Sequence, residues 1–290
     1  MLSFKRKQHK AIRLDCAKKS SIMRTEIRTT VIVLTTLLTL MSCGKEKDNS
    51  HVPSGRVAHM TVTQHTPDTA YRLEYTFEWQ DTLLECVKCL LPDGRTERME
   101  CRYSGTRLTE TAVYTADGAM RERWTYIYSD GKLARQTLTM QGGTTDCTFA
   151  YDGAHPVSVS YRRHAADGRE HDYERRFAWQ GGNVSEESIR EDGTEVQRTA
   201  FRYGDTPNPL RLPLGMELST CWSLTRTGVM GDYYHMLPLH FSAGCPVAAD
   251  CDEGASYTAE YTCDGDGRPT TATLQHGDIR TEIEIRYLLR

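Results

Sequence analysis

Between Tyr71 and Trp79 large apolar and polar side chains alternate without a break. Tyr71, Leu73, Tyr75, Phe77 and Trp79 fall on one side, and Arg72, Glu74, Thr76 and Glu78 on the other. A period of two sets the five large side chains on one face of a β-strand, and the pattern predicts that this face is buried. Each such run closes on an aromatic dyad with one spacer residue. The well-formed dyads are Phe77-x-Trp79, Tyr126-x-Tyr128, Phe149-x-Tyr151, Phe177-x-Trp179 and Phe201-x-Tyr203; Cys101-x-Tyr103, Tyr261-x-Cys263 and Ile285-x-Tyr287 are degenerate copies. Their second positions, through Tyr203, are 24, 25, 23, 28 and 24 residues apart, the signature of a repeat architecture. Halfway between dyads lies a second turn, with Asp-Gly at Asp93-Gly94, Asp117-Gly118, Asp167-Gly168 and Asp192-Gly193. Asp-Gly between alternating runs marks a tight hairpin, because both central residues of a type I′ turn need positive φ.

Each repeat therefore reads as two strands and two tight turns, and no helical period appears in the repeated stretch. Val57 to His65 precedes it as a first strand, with turn residues at Thr66-Pro67-Asp68-Thr69. The expected fold is all-β: an antiparallel up-and-down meander of hairpins, strongly curved or closed into a barrel, water-soluble, with one irregular insertion over 205–254. Asp205-Thr206-Pro207-Asn208-Pro209 opens that insertion, since proline donates nothing to a ladder. A short helix over 212–224 and a loop with room for one strand over 231–246 are expected within it. Asp264-Gly265-Asp266-Gly267-Arg268-Pro269 then resumes the repeat, so 57–290 reads as one domain.

Loop length fixes register. A two-residue loop at Asp192-Gly193 sets Arg190 opposite Glu195, Ile189 opposite Val196, Glu187 opposite Arg198 and Val184 opposite Phe201, pairs that match in charge or apolarity. The same loop at Asp93-Gly94 sets Cys86 opposite Cys101, with Cα atoms roughly 4.5–5.5 Å apart and so within disulfide reach. At Asp167-Gly168 it sets His164 opposite His171, a pair of facing imidazoles lacking a third metal ligand.

The N-terminus changes how the composition is read. Met23-Arg24-Thr25-Glu26-Ile27-Arg28 is a short basic n-region ahead of an apolar run, Val31 to Met41, that is too short to span a bilayer. Leu40-Met41-Ser42-Cys43 follows and resembles a bacterial lipobox, in which the chain is cut between Ser42 and Cys43 and Cys43 carries the lipid. Residues 1–42 then divide into an upstream extension and a signal peptide starting at Met23, and 43–56 form a lipidated tether. Residues 1–42 carry nine Lys or Arg and two Asp or Glu, so removing them takes the net charge from −3 to −10. An acidic chain repels phosphate backbones, which argues against nucleic acid as a partner and leaves lipid as the means of membrane attachment.

The turns Tyr151-Asp152-Gly153, Tyr128-Ser129-Asp130-Gly131 and Asp264-Gly265-Asp266-Gly267-Arg268-Pro269 resemble YD-type, RHS-like repeats. Together with the lipobox-like site, the break after Tyr203 and the resumed last hairpins, they make the chain similar to a Bacteroidota lipoprotein family carrying a domain of unknown function with a porin-like fold. The resemblance spans roughly 57–290 and implies an outer-membrane address, facing periplasm or cell surface; it brings no catalytic residue. A transmembrane pore does not follow, since Glu186 to Glu191 and His171 to Arg176 put charge on both faces of their strands, whereas a membrane barrel keeps an apolar band toward lipid.

Eight cysteines remain once Cys16 and Cys43 are set aside. An even number in an exported chain favours disulfides, and Cys221, Cys245, Cys251 and Cys263 cluster in and after the insertion, where one or two bridges are expected. Cys86-Val87-Lys88-Cys89 has redox spacing but lies in a strand, without the helix N-terminus that lowers a thiol pKa. Asp264 to Gly267 has the wrong glycine position for a calcium loop, and no nucleophile elbow, zinc-protease or phosphate-loop motif occurs. No metal, cofactor or catalytic residue is assigned. Trp79, Trp124 and Trp179 read as core rather than as sugar platforms because they keep the repeat period. Three functions stay open: a non-enzymatic binding or scaffolding lipoprotein of the envelope, whose partner is an envelope protein or glycan; a carrier enclosing a lipid or other apolar ligand; and a glycan-directed hydrolase.

Overall fold

The computed structural model describes residues 55–209, 242–252 and 256–288, all within one compact unit, Asp48–Arg290. The extension, Met23, Ser42 and Cys43, Cys221 and the helix expected over 212–224 lie outside the described residues. Sixteen strands follow one another: β1 (Val57–His65), β2 (Ala70–Gln80), β3 (Leu83–Leu90), β4 (Thr96–Ser104), β5 (Arg107–Tyr114), β6 (Met120–Ser129), β7 (Lys132–Met140) and β8 (Gly143–Asp152). The second half holds β9 (His155–Ala165), β10 (Glu170–Gln180), β11 (Asn183–Glu191), β12 (Thr194–Pro207), β13 (Gly244–Cys251), β14 (Tyr257–Cys263), β15 (Pro269–His276) and β16 (Ile279–Tyr287). Each pairs antiparallel with its neighbours in sequence, and β1 pairs with β16, from Val57↔Tyr287 to His65↔Arg280, so the meander closes into a barrel.

The alternation read from sequence sorts the two faces. Leu73, Tyr75 and Phe77 of β2 are buried and Trp79 is half-buried, whereas Tyr71, at the rim, is 46% exposed. All sixteen strands contribute to one apolar cluster, from Val57 and Leu73 through Trp124 and Val159 to Ile283 and Ile285, with none of its buried members more than 9% exposed. A water-filled lumen would wet these side chains, so the interior is packed. The outer wall carries ion pairs such as Arg72–Glu74 at 3.0 Å, Arg135–Asp146 at 2.8 Å and Arg162–Asp172 at 3.0 Å. This arrangement is the inverse of a barrel that faces lipid. Exposed pairs of this kind add little to stability; their role is to keep the wall wet.

The dyads mark one rim. After the first dyad position the register shifts, at Glu78/Trp79, Arg102/Tyr103, Ile127/Tyr128, Ala150/Tyr151 and Ala178/Trp179. Each shift is a β-bulge with its extra residue on the following strand: Glu85, Thr109, Ala134, Val157 and Ser185. The hydroxyls of Thr109 and Ser185 donate to the carbonyls of Arg102 and Ala178 at 3.1 and 3.2 Å. The second aromatic then donates across to the neighbouring strand. Trp79 bonds the Val57 carbonyl at 2.8 Å, Tyr103 that of Leu84 at 2.9 Å, Tyr151 that of Leu133 at 2.9 Å and Trp179 that of Pro156 at 2.7 Å. Tyr287 does the same to Pro269 at 2.7 Å, and in the degenerate Tyr261-x-Cys263 copy it is the first-position ring, Tyr261, that bonds the Pro246 carbonyl, at 2.9 Å. This latch explains why the second dyad position keeps a ring with a polar hydrogen.

The opposite rim corrects three register expectations. At Asp93-Gly94 the loop has three residues: Leu91 N donates to Arg95 O and Gly94 N to Leu91 O, with Gly94 at φ +82. That is a type I turn followed by a left-handed glycine, not a type I′ turn, and Pro92 occupies the position where its fixed φ fits such a turn. The pairing moves by one residue, so Cys86 faces Glu100. Ala165 to Arg169 close the same way, and His164 faces Glu170 while His171 faces Arg163. Asp192-Gly193 is the two-residue turn expected, with φ of 48 and 78, and Arg190 does face Glu195. A bulge beyond it sets Ile189 against Gln197, Ser188 against Arg198 and Glu187 against Thr199, displacing the remaining pairs.

Strands also reach into the stretch expected to be irregular. β12 continues to Pro207, and β13 starts at Gly244. Pro246 is accommodated because it sits opposite Tyr203, at a register shift where no ladder N–H is required.

Candidate functional site

Among the described residues the thiols form no site. Cys86 lies on the outer face with Glu78 and Glu100, while Cys101 packs in the interior cluster, so the expected bridge has its sulfurs on opposite faces of the sheet. Both are free, as are Cys89, Cys147, Cys245, Cys251 and Cys263. Of the expected cluster of Cys221, Cys245, Cys251 and Cys263, the last three carry free thiols here, and Cys221 lies outside the described residues. Burial pushes the thiol pKa of Cys86 and Cys89 up to about 11, and of Cys101, Cys147 and Cys245 up to about 12. A thiol held protonated and buried is inert. Titration with a thiol-specific reagent near pH 7.5 is expected to label the exposed Cys263 at once. Cys86, Cys89, Cys101, Cys147 and Cys245 should react only on unfolding; rapid labelling of Cys101 or Cys147 would contradict the packed interior.

The histidines and acidic turn resolve similarly. His164 lies 3.1 Å from Glu170 on the outer face, and His171 is on the other, so no imidazole pair forms. Among the described residues no group of His, Cys, Asp or Glu has the arrangement of a metal site. In the turn after β14, Asp264 Oδ1 accepts the N–H groups of Asp266 and Arg268, and Oδ2 pairs with the Arg268 guanidinium at 2.7 Å, which holds this carboxyl below its usual range. Its oxygens complete a turn rather than a calcium loop.

One ionic feature of the interior is missing from the sequence reading. Arg175 of β10 and Glu187 of β11 both point inward, are 1% exposed, and bond through the guanidinium Nε and Nη2 to Glu187 Oε1. The bulge at Ala178/Trp179 brings them diagonally together: Phe177 faces Glu187 and Arg175 faces Ile189. Tyr161 and Tyr173 stack beside them, ring centroids 4.3 Å apart. Burial pushes the Glu187 carboxyl up to about 7 against the opposing pull of Arg175, and its Oε2 is buried without a partner. This carboxyl is sealed from solvent.

At the dyad rim, cationic or imidazole side chains cover the aromatic rings. Arg107 lies over Tyr128 at 5.8 Å, Lys132 over Tyr151 at 5.3 Å and Arg268 over Tyr287 at 4.8 Å, while His155 stacks on Trp179 at 4.4 Å. Trp124 is 1% exposed, so Trp79, Trp124 and Trp179 all pack into the barrel rather than offering open platforms. The ends of β12 and β13 are clasped here. Asn208 N donates to Ala243 O at 2.9 Å, Ser242 Oγ accepts Val184 N at 3.0 Å and lies 2.8 Å from Tyr203 OH, and Asn183 Oδ1 accepts Gly244 N at 2.8 Å.

Outside the wall, β9, β10 and the β11–β12 turn enclose a groove of 520 Å³. Its charged lining alternates: Arg162, Asp172, Glu174, Arg176, Arg190 and Asp192. Arg162 binds Asp172 through two hydrogen bonds of 3.1 and 3.0 Å, and Arg176 pairs with Glu174 at 2.8 Å. The Arg162 guanidinium holds the Asp172 carboxyl below its usual range. Glycoside hydrolysis requires one carboxyl kept protonated near the scissile bond. Asp172 is tuned the opposite way, and Glu187, the carboxyl tuned correctly, faces the interior.

No protein-family model matches the chain, and no curated protein matches it. Solved structures are similar to it to different degrees. A porin-like protein from Bacteroides uniformis ATCC 8492 superposes with a TM-score of 0.53 at 14% sequence identity, covering 80% of this chain and 96% of that one. A porin-like protein from Bacteroides vulgatus ATCC 8482 gives 0.48 at 13% identity, covering 81% and 100%. The first of these likenesses establishes a shared porin-like barrel fold for this all-β chain. At this identity it carries the fold alone.

Proposed function

We propose that the chain is a lipid-anchored protein of the cell envelope whose closed barrel binds or scaffolds, without catalysis, through its outer wall and rims. One observation carries this reading: the interior is packed with apolar side chains while the outer wall is charged and paired. A barrel of this kind leaves its outside as the surface on which partners act. The sequence supports the anchor through Val31 to Met41, Ser42 and Cys43, and the short polar stretch after Cys43 supports a tether. The tether would join the barrel at the dyad rim, where β1 begins and Val57 accepts the Trp79 latch. A carrier of lipid needs an apolar cavity, and the inward-facing residues of all sixteen strands are instead buried against one another.

Native mass spectrometry of the protein purified unreduced from its own host tests the reading. The expected result is a lipid-modified N-terminus at Cys43 and no further mass after delipidation. A reproducible extra mass in the lipid range would overturn it in favour of the carrier. Cys43→Ser is expected to move the protein from the membrane to the soluble fraction; retention at the membrane would reject the anchor.

A further inference from the structure

The groove on the outer wall holds an unused cation. Among the described residues five arginines are at least partly buried: Arg98, Arg121, Arg175, Arg190 and Arg268. Four of them meet a carboxylate, at Glu100, at Glu97 and Glu122, at Glu187, and at Asp264. Arg190 meets none, and its Nε is buried with no hydrogen-bond acceptor. A guanidinium partly withdrawn from water without a counter-charge is costly, and its Nη edge, which is not among the buried atoms, is open to an anionic group in the groove. Arg190 stands in the wall of the 520 Å³ groove, between the Arg176–Glu174 pair and the turn residue Asp192. The volume lies within the roughly 300–1,000 Å³ range of small-molecule sites.

The lining defines the chemistry of an occupant. Three arginines and three carboxylates leave the groove neutral, so a bare anion gains little from the field of the site as a whole. One unpaired guanidinium selects one anionic group, and a planar fork favours a carboxylate or sulfate. Asp172 and Glu174 are engaged by arginines through one edge and keep lone pairs able to accept hydroxyl donors. We propose that this groove binds an acidic saccharide, its carboxylate on Arg190 and its hydroxyls on the Asp172 and Glu174 side. The proposal rests on the outer wall being the working surface and names the partner class for it.

The test is calorimetric titration of the full detergent-solubilised protein with a glucuronic acid disaccharide, with its neutral glucose counterpart and with inorganic sulfate. Saturable binding of the acidic disaccharide is expected, with at least about tenfold weaker binding for Arg190→Gln, as for loss of one charged hydrogen-bonding group. Arg190→Lys should keep part of the affinity, and Arg169→Gln, on the same rim but paired with Asp167, should keep all of it. Hydrogen exchange on the unmutated protein provides a reading that no folding defect can mimic: disaccharide should protect β9 to β11. Sulfate binding as tightly as the disaccharide would overturn the saccharide assignment in favour of a plain anion site. Tight binding of the neutral sugar, protection elsewhere, or no saturable binding would overturn the site. None of these results bears on the lipid at Cys43 or on a lipid cargo, which fractionation and mass report separately.

Discussion

Arg175→Met is expected to cost the barrel about 3–5 kcal/mol near pH 8, because it strands a buried carboxylate without its counter-charge. Arg175 and Glu187 are each 1% exposed and surrounded by core side chains, so water cannot replace the lost partner. The deficit should depend on pH in a definite sense. The Glu187 carboxyl is raised from an ordinary 4.5 to about 7, chiefly by burial, with Arg175 pulling it down. The folded state therefore holds this proton more tightly than the unfolded state, and the associated stabilisation is full below about 4.5 and fades as pH rises through 7. Removing Arg175 raises the carboxyl further, so the variant's deficit is small near pH 5, where Glu187 is neutral, and largest at pH 8. Urea midpoints at the two pH values measure it. Arg175→Met combined with Glu187→Leu should recover most of the loss or exceed the original stability, since a buried ion pair often gives way to apolar packing without cost. Equal deficits at pH 5 and 8 would show that Glu187 does not titrate in the core.

Gly143→Ala is expected to be the most damaging glycine substitution in the barrel. Gly143 opens β8 at φ +131, and a Cβ there would stand 2.1 Å from the backbone carbonyl oxygen of His164. The obstacle is main chain on both sides: Gly143 pairs with Ala165, and Ala166 N donates to Gly142 O at 3.1 Å, so two neighbouring turns lock against each other. Backbone strain of this type costs about 1–3 kcal/mol, and parting β8 from β9 adds to it. A total of about 3 kcal/mol corresponds to a melting point lower by roughly 6–12 °C in a domain of this size. Gly118→Ala is the control. Its φ is +85 but nothing lies within 4 Å of the added Cβ, so only the left-handed conformation opposes it, at about 1–2 kcal/mol. Similar losses at both positions would mean that the β8–β9 edge yields freely.

The fold was legible where side-chain chemistry repeats. The alternation in β2 and the dyads ending at Trp79, Tyr103, Tyr151 and Trp179 identify hairpins because each of these aromatics reaches both the core and a neighbouring carbonyl. Register was less legible. Asp-Gly serves both a two-residue turn, as at Asp192-Gly193, and the end of a three-residue loop, as at Asp93-Gly94; Pro92 distinguishes the second, whereas Ala166 before Asp167-Gly168 gives no such sign. The bulge residues Glu85, Thr109, Ala134, Val157 and Ser185 share no chemistry, so the shifts they cause leave no trace in the sequence. That concealed the meeting of Arg175 with Glu187, whereas Cys86 misses Cys101 because of the three-residue loop that Pro92 opens. β13 was obscured because Pro246 and the small residues Ala248 and Ala249 lack strand character, and pairing with β12 supplies what they lack. The groove around Arg190 was hidden for the same reason: its charges come from three strands and a turn.

The seam between β1 and β16 has a consequence for how the barrel is made. Every other junction joins consecutive strands, nearly all through a short turn, the exception being β12 and β13, which residues 208–243 separate; each short hairpin can zip as soon as its second strand is synthesised. The seam joins Val57 to Tyr287 and waits for the whole chain. Closing a loop of that length costs entropy that no earlier hairpin recovers. Until it closes, the nascent sheet has two open edges, each able to accept a strand from another molecule. β1 pairs with β2 early, but its other edge stays open until β16 is made, and protection of that edge in transit is a requirement set by the topology itself.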